Sequence, residues 1–200
     1  MLPLSTALTA VLPLRPLRDI SNNDFIIHNY QMTLRALEPD DLDFLYELEN
    51  DPDIWAVSDT LAPVSRHALR EYLAHAGADF FEVRQLRLVL CEAGAAIGTL
   101  DIFDFNPLHR RAGVGITLKK DFRGRGLARQ ALALLLPYAR HTLRLHQLYA
   151  TVGADNLPSL KLFEAAGFRR VGLRQGWLCG PAAGQWRDAV EWQCLLENLD

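Results

Sequence analysis

The sequence predicts an α+β domain, with a sheet segregated around a few helices, and three observations carry that reading. Short runs of alternating or β-branched apolar residues recur from Met32 almost to the C-terminus. Two stretches, residues 42–48 and 127–143, carry apolar side chains at helical spacing, and clusters of glycine, proline and aspartate fall between the segments. The third observation is an absence: no internal repeat or low-complexity linker divides the 200 residues, which is the size of one domain.

The elements follow in order. Residues 32–37 (Met-Thr-Leu-Arg-Ala-Leu) alternate and read as a strand. Pro39-Asp40-Asp41 supplies a turn and an acidic helix start, which the positive end of a helix dipole favours. Leu42, Leu45, Tyr46 and Leu48 give that helix an apolar stripe, and Asp51-Pro52-Asp53 stops it. A second helix spans 65–76, with Leu69, Tyr72 and Leu73 on one face. Residues 86–91 and 97–105 are two strands joined by a turn at Glu92-Ala93-Gly94. A fourth strand covers 113–118, and its Gly113 and Gly115 mark a bulge or a close backbone approach. Arg123-Gly124-Arg125-Gly126 then opens a helix rich in Ala and Leu, from Leu127 to about Leu143. Residues 147–152 form a fifth strand, and a short helix runs from near Asn156 to Gly167. Phe168 begins a final pair of strands, 168–178 and 186–196, joined by the loop 179–184.

Bulk properties exclude several function classes. Half of the residues are hydrophobic, 22% are charged and the formal net charge is -3, so no global basic field invites a nucleic acid. Cys91, Cys179 and Cys194 are odd in number and far apart, and the six histidines form no i, i+4 pair with an acidic partner. Neither a disulfide framework nor a metal site is expected, and the thiols read as reduced in a cytoplasmic protein. Residues 1–31 are expected to form an extension ahead of a domain covering 32–200. The start of the chain is apolar, but Pro3 and Pro13 interrupt it and no basic region precedes it. It therefore lacks the pattern of a signal peptide and the ~20 apolar residues of a membrane span.

Chemistry concentrates in two places. Small residues at a helix start leave backbone N–H groups free to face an anion, so strand, Arg123-Gly124-Arg125-Gly126 and helix make a pyrophosphate cradle. The alternative is a tight turn with solvated arginines. No G-x-x-x-x-G-K-[ST] motif and no G-x-G-x-x-G with a placed acidic residue competes for that role. The second place is Asn156-Leu157-Pro158-Ser159, where a strand ends and a helix begins. Asn156 there caps the helix or binds an amide-bearing ligand.

Taken together, strand, Arg123-x-x-Gly126-x-Ala128, helix, strand and Asn156-x-x-Ser159…Gly167-Phe168 resemble the GNAT superfamily of N-acetyltransferases over residues 32–197. Leu100-Asp101-Ile102-Phe103-Asp104-Phe105-Asn106…His109-Arg110-Arg111-Ala112 is similar to the bacterial spermidine N-acetyltransferases. The chain as a whole also resembles the ribosomal-protein N-terminal acetyltransferases. The resemblance implies a mixed, mostly antiparallel sheet whose strands 113–118 and 147–152 splay to admit the pantetheine arm of acetyl-CoA. It assigns cofactor contacts to Ile116, Thr117, Leu118, Arg123, Gly124, Arg125, Gly126, Leu127, Ala128, Asn156 and Ser159. An amide near Ile116 to Leu118 would polarise the thioester carbonyl.

The implied reaction is direct attack by a neutral amine in a ternary complex. The acceptor is a polyamine or other small primary amine. Alternatives are a protein N-terminus or lysine, or an idle acyl-CoA-binding module. A homo-oligomer is compatible with the sequence, and no membrane or nucleic-acid partner is expected. An amine with a pKa near 10 must lose a proton, and Asp59, Asp101 and Asp104 are the candidate bases. Simple alternation sends Asp101 and Asp104 to opposite faces, and Asp104 is preferred because it matches an acidic position of the spermidine group. Where many family members carry an acidic tyrosine this chain has Phe163, which leaves Tyr149 as a donor to the leaving thiolate. Trp55 and Asp59 are read as acceptor contacts, and the acids Glu47, Glu49, Asp51 and Asp53 give that region a negative character. Trp177 is a further candidate lining, whereas Trp186 and Trp192 are expected to pack against a helix.

Overall fold

The computed structural model describes residues 27–28, 32–55, 57–58, 60–180, 182 and 184–198. Most of the expected N-terminal extension, and Asp59, lie outside the described residues. The strands are β1 (Ile27–His28), β2 (Met32–Arg35), β3 (Leu86–Glu92), β4 (Ala95–Asn106), β5 (Arg111–Leu118), β6 (Gln147–Gly153), β7 (Arg169–Cys179) and β8 (Trp186–Leu195). The helices are α1 (Leu42–Glu49), α2 (Pro52–Trp55), α3 (Arg66–Ala74), α4 (Phe80–Val83), α5 (Leu127–His141) and α6 (Leu157–Ala165). The described strands form one sheet in the order β1-β2-β3-β4-β5-β6-β8-β7, antiparallel throughout except for the parallel contact of β5 with β6.

The sheet separates two layers of helix. Leu88 and Leu90 of β3, Leu100 and Ile102 of β4, Ala112 and Val114 of β5, and Leu148 and Ala150 of β6 all point to one face. There they join the stripe Leu127, Ala131, Leu132, Leu135 and Ala139 of α5, together with Phe163 of α6. Arg87, one position out of phase with Leu88, reaches Glu49 on α1 and the ring of Tyr72 on α3. Helices α1 and α3 therefore cover the opposite face of the sheet near β3.

Local chemistry fixes the helix starts. The Ser65 hydroxyl accepts from the Ala68 amide at 3.1 Å, which caps α3. At the entry to α1, Asp41 takes both Arg35 guanidinium nitrogens at 2.7 and 2.8 Å and the Glu38 amide at 2.8 Å. Burial pushes the Asp41 carboxyl up, but these bonds outweigh it and hold the group below its ordinary value.

Two readings of the sequence are corrected. Of the two readings of Gly113 and Gly115, a close approach holds at Gly113, where a Cβ would fall 2.3 Å from the Phe103 ring, and a bulge in β5 does not. The irregularity lies across the ladder in β4, between Phe103 and Asn106, where Asp104 takes φ 51°. Trp192 is buried in the core, but Trp186 is 66% exposed instead of packed on a helix. Its register with Cys179 sets it at the tip of the β7–β8 hairpin, beyond the helical layer.

Candidate active site

Strand β5 pairs with β6 only from Arg111–Gln147 through Gly113–Tyr149, yet β5 runs on to Leu118 and β6 to Gly153. Each stays bonded on its outer side, with Leu118 opposite Gly98 of β4 and Gly153 opposite Ala189 of β8. The two strands therefore diverge and open a wedge-shaped gap whose apex is the Gly113–Tyr149 rung. From Val114 to Leu118 the gap runs along β5 for roughly 13 Å, at ~3.3 Å per residue. Along it, alternate residues of β5 direct N–H and C=O groups that pair with no neighbouring strand, the condition for adding an extended ligand as if it were another strand.

At the wide end of the gap sits the head of α5. Gly124 and Gly126 adopt φ of 73° and 76°, and a Cβ added to either would meet nothing within 4 Å. Among the described residues no backbone carbonyl of the chain takes a hydrogen bond from the amides of Gly126 through Arg129; the first bond there runs from Gln130 to the Gly126 carbonyl. The turn is thus open, rich in unpartnered donors and placed at the positive end of a 15-residue helix. That is the physical specification of an anion site.

The arginines of the turn are engaged elsewhere. Arg123 donates through Nε to the Leu118 carbonyl at 2.9 Å and lies 3.6 and 3.7 Å from Asp51 and Asp53. Arg125 spans both oxygens of Glu92 at 2.9 Å, over the ring of Phe122. The acids around α1 and α2 are matched in the same way: Glu47 by Lys119 at 3.0 Å, Glu49 by Arg87 at 2.6 Å, and Asp53 by Lys120 at 3.1 Å. The negative character read for this region is largely compensated within the chain.

Helix α5 covers one face of the gap, so a second reactant has access to the apex from the other. Tyr149 points to that open face, since its neighbours Leu148 and Ala150 point into the α5 core. The Phe103 and Tyr149 rings meet edge to face, with centroids 6.3 Å apart. Asp104 lies beside the phenol; burial first, and then this carboxylate, push the Tyr149 pKa up. The bulge therefore overturns the expected separation of the two aspartates. Asp101 is turned toward Arg87 and Glu49 on the same face to which the irregularity turns Asp104. Asp101 sits opposite Gly115 and bonds Arg87 Nε at 2.5 Å. Burial raises its pKa, with Arg87 opposing the shift.

The model of the acetyltransferase (GNAT) domain family matches residues 31–169. This chain belongs to the GNAT family. It is an acetyl-CoA-dependent N-acetyltransferase. It is 32% identical to the spermidine N(1)-acetyltransferase of Vibrio cholerae over 146 residues, 72% of this chain and 82% of that protein. The corresponding enzyme of Escherichia coli K12 is 26% identical over 173 residues, 84% of this chain and 88% of that protein. Among solved structures, the Vibrio cholerae spermidine N-acetyltransferase in complex with CoA and spermine superposes with a TM-score of 0.76 at 29% identity. The match covers 84% of this chain and 98% of that one.

The remaining expected positions fall around this GNAT cleft. Asn156 accepts from the Ser159 amide at 3.2 Å and so caps α6, leaving its side-chain NH₂ free to donate. Phe163 is 4% exposed and packs edge to face on Phe168 at 5.0 Å. It is a core residue with no proton to offer. Trp55 is half-buried, and its indole N–H donates to the Glu49 carbonyl at 2.6 Å, which pins α2 to α1. Trp177 is 54% exposed on β7, where the Arg174 guanidinium lies 4.3 Å from its ring centroid. Among the described residues no cluster of three or more His, Cys, Asp or Glu could hold a metal ion, and no helix is long and apolar enough to cross a membrane. Sequence reasoning missed Phe103 and the Asp101–Arg87–Glu49 network. Gly113, directly opposite Phe103, was the available signal for the first.

Proposed function

We propose that this chain acetylates a terminal primary amine of a polyamine or a similar small amine, by direct attack on acetyl-CoA in a ternary complex. The carrying observation is the wedge between β5 and β6, with open amides at its mouth and the Asp104–Tyr149 pair at its apex. The donors of Gly124, Arg125, Gly126, Leu127 and Ala128 hold the pyrophosphate, and Arg123 and Arg125 exchange their carboxylate partners for it. Backbone groups of Ile116, Thr117 and Leu118 take the pantetheine amides, and one N–H of this stretch polarises the thioester carbonyl. Asn156 and Ser159 flank the arm from the start of α6.

At the apex the amine nitrogen forms a bond to the acyl carbon and the C–S bond breaks. Asp104 takes the proton that the amine must lose, and Tyr149, whose raised pKa keeps it protonated at neutral pH, returns a proton to the sulfur. The thiol pKa near 8.5 makes that second transfer helpful without being obligatory, which accommodates Phe163 at the family's tyrosine position. Trp55 borders the acceptor. The names of the relatives support a polyamine, and a dodecameric structure of the Vibrio cholerae enzyme supports a homo-oligomer. Use of acetyl-CoA and the three free cysteines suit a cytoplasmic location.

The test is thiol release from acetyl-CoA against a panel of spermidine, spermine, short diamines, N-terminal peptides and lysine peptides. Turnover with the polyamines above the peptides is expected. Preference for a peptide would move the chain to protein acetylation. Tight CoA binding with no acceptor would make it a binding module.

A further inference from the structure

The open face at the apex of the gap carries an apolar ring in the middle of the sheet. Phe103 is 37% exposed, and its position is fixed by the strand beside it. It lies directly across the ladder from Gly113. A Cβ on Gly113 would fall 2.3 Å from Phe103 Cε2 and 2.6 Å from Cζ, so the ring rests flat on the Gly113 backbone. A Cβ on Gly115 would meet the same ring at 3.7 Å, so the ring also reaches that residue. On its far side the ring meets Tyr149 at an interplanar angle of 79°. Phe103 therefore lies over the rung that closes the wedge, next in sequence to Asp104. The two glycines remove the side chains that β5 would otherwise send to this face.

We infer that Phe103 is a specificity-determining residue: its ring is the wall along which the methylene chain of the acceptor lies as the terminal nitrogen reaches the thioester. This rests on the proposed acetyl transfer to a small amine and narrows its substrate class. With Gly113 and Gly115 under it, the ring itself presents only carbon, in a stretch bounded by Asp101 opposite Gly115, which is held by Arg87, and by Asp104 with Tyr149 at the apex. Unbranched alkyl amines gain by covering the ring, and each buried methylene contributes roughly a fourfold gain in affinity at ~0.8 kcal/mol. Amines with hydroxylated chains, such as amino sugars, lose water there and recover nothing. The polar recognition is left to Asp104 and Tyr149 at one end of the wall.

The experiment measures kcat and KM for a series of α,ω-diamines of three to six methylenes and for an amino sugar, with wild type, Phe103→Ala, Phe103→Leu and Gly113→Ala. In wild type, kcat/KM is expected to rise with chain length and to exceed that of the amino sugar. Phe103→Ala should flatten the dependence on length and raise KM for the longest diamine about tenfold, leaving kcat within about twofold. Phe103→Leu should restore most of the slope. Gly113→Ala, which displaces the ring without removing it, should flatten the slope as well and serves if Phe103→Ala does not fold. CoA affinity should be unchanged in the two Phe103 variants, a readout that a general loss of structure would move. An unaltered length dependence in Phe103→Ala or Gly113→Ala would overturn the inference while leaving acetyl transfer standing. Absence of amine turnover by wild type would overturn both.

Discussion

Gly126→Glu separates the cradle's role in binding from its role in folding. Gly126 sits at φ 76° and ψ 2°, in the left-handed region, at the N-cap of α5. Any Cβ there costs about 1–2 kcal/mol of backbone strain. For a chain of this size that lowers Tm by about 2–8 °C. Space adds nothing to the cost, because no atom lies within 4 Å of the added Cβ. The binding effect is larger. A carboxylate held ~4 Å from a phosphate oxygen repels it by about 4 kcal/mol at an effective dielectric of ~20, or nearly three decades in Kd. Gly126→Ala carries the same strain without the charge, so it should melt with the glutamate variant yet bind CoA within about tenfold of wild type. Calorimetric titration with CoA, paired with thermal melts, reads both quantities. High salt should recover part of the loss in the glutamate variant alone. If the glutamate variant bound CoA as well as the alanine variant, the head of α5 would not be where the diphosphate rests.

Three further outcomes follow from the geometry. Tyr149→Phe keeps the ring against Phe103 and removes the proton, so kcat should fall by roughly 10²-fold with CoA affinity and Tm unchanged; full activity would remove Tyr149 from the chemistry. Asp51→Asn with Asp53→Asn frees Arg123 from partners at 3.6 and 3.7 Å, and CoA affinity should rise by up to about fivefold at low salt, as expected for exposed pairs worth 0–1 kcal/mol. Asp41→Asn should destabilise the protein by roughly 2–4 kcal/mol at pH 7 and flatten the acid side of the stability profile. The sign follows from the lowered folded-state pKa: the stabilisation is present above the unfolded value near 4 and is lost as pH falls through the folded value. Parallel acid slopes in chemical denaturation of wild type and variant would contradict it.

Element types and order were legible in the sequence because periodicity and punctuation agreed locally. Leu127, Ala131, Leu135 and Ala139 repeat at helical spacing and are all buried against the sheet. The Glu92-Ala93-Gly94 turn takes positive φ at Ala93 and Gly94, as a tight hairpin requires. The anion site was legible for a similar reason, since Gly124 and Gly126 show their backbone conformation in their identity. What escaped depended on neighbours distant in sequence. Nothing local to Phe103-Asp104-Phe105 signals the irregularity that turns Asp104 toward Tyr149, because it is set by pairing with β5. The compensation of Glu47, Glu49, Asp51 and Asp53 comes from Lys119, Arg87, Arg123 and Lys120, more than 30 residues away in the chain. Short α4 and the two-residue β1 carry too few residues to show a period.

The central claim is that the wedge between β5 and β6 and the head of α5 together form the acetyl-CoA site. Amide hydrogen exchange, measured residue by residue with and without CoA, tests it most directly. Added CoA should slow exchange at Gly124 through Arg129 and at alternate residues of Val114 to Leu118, and leave the β2–β3 ladder as it was. Slowing confined to other segments, with these amides unaffected by a bound CoA, would contradict it.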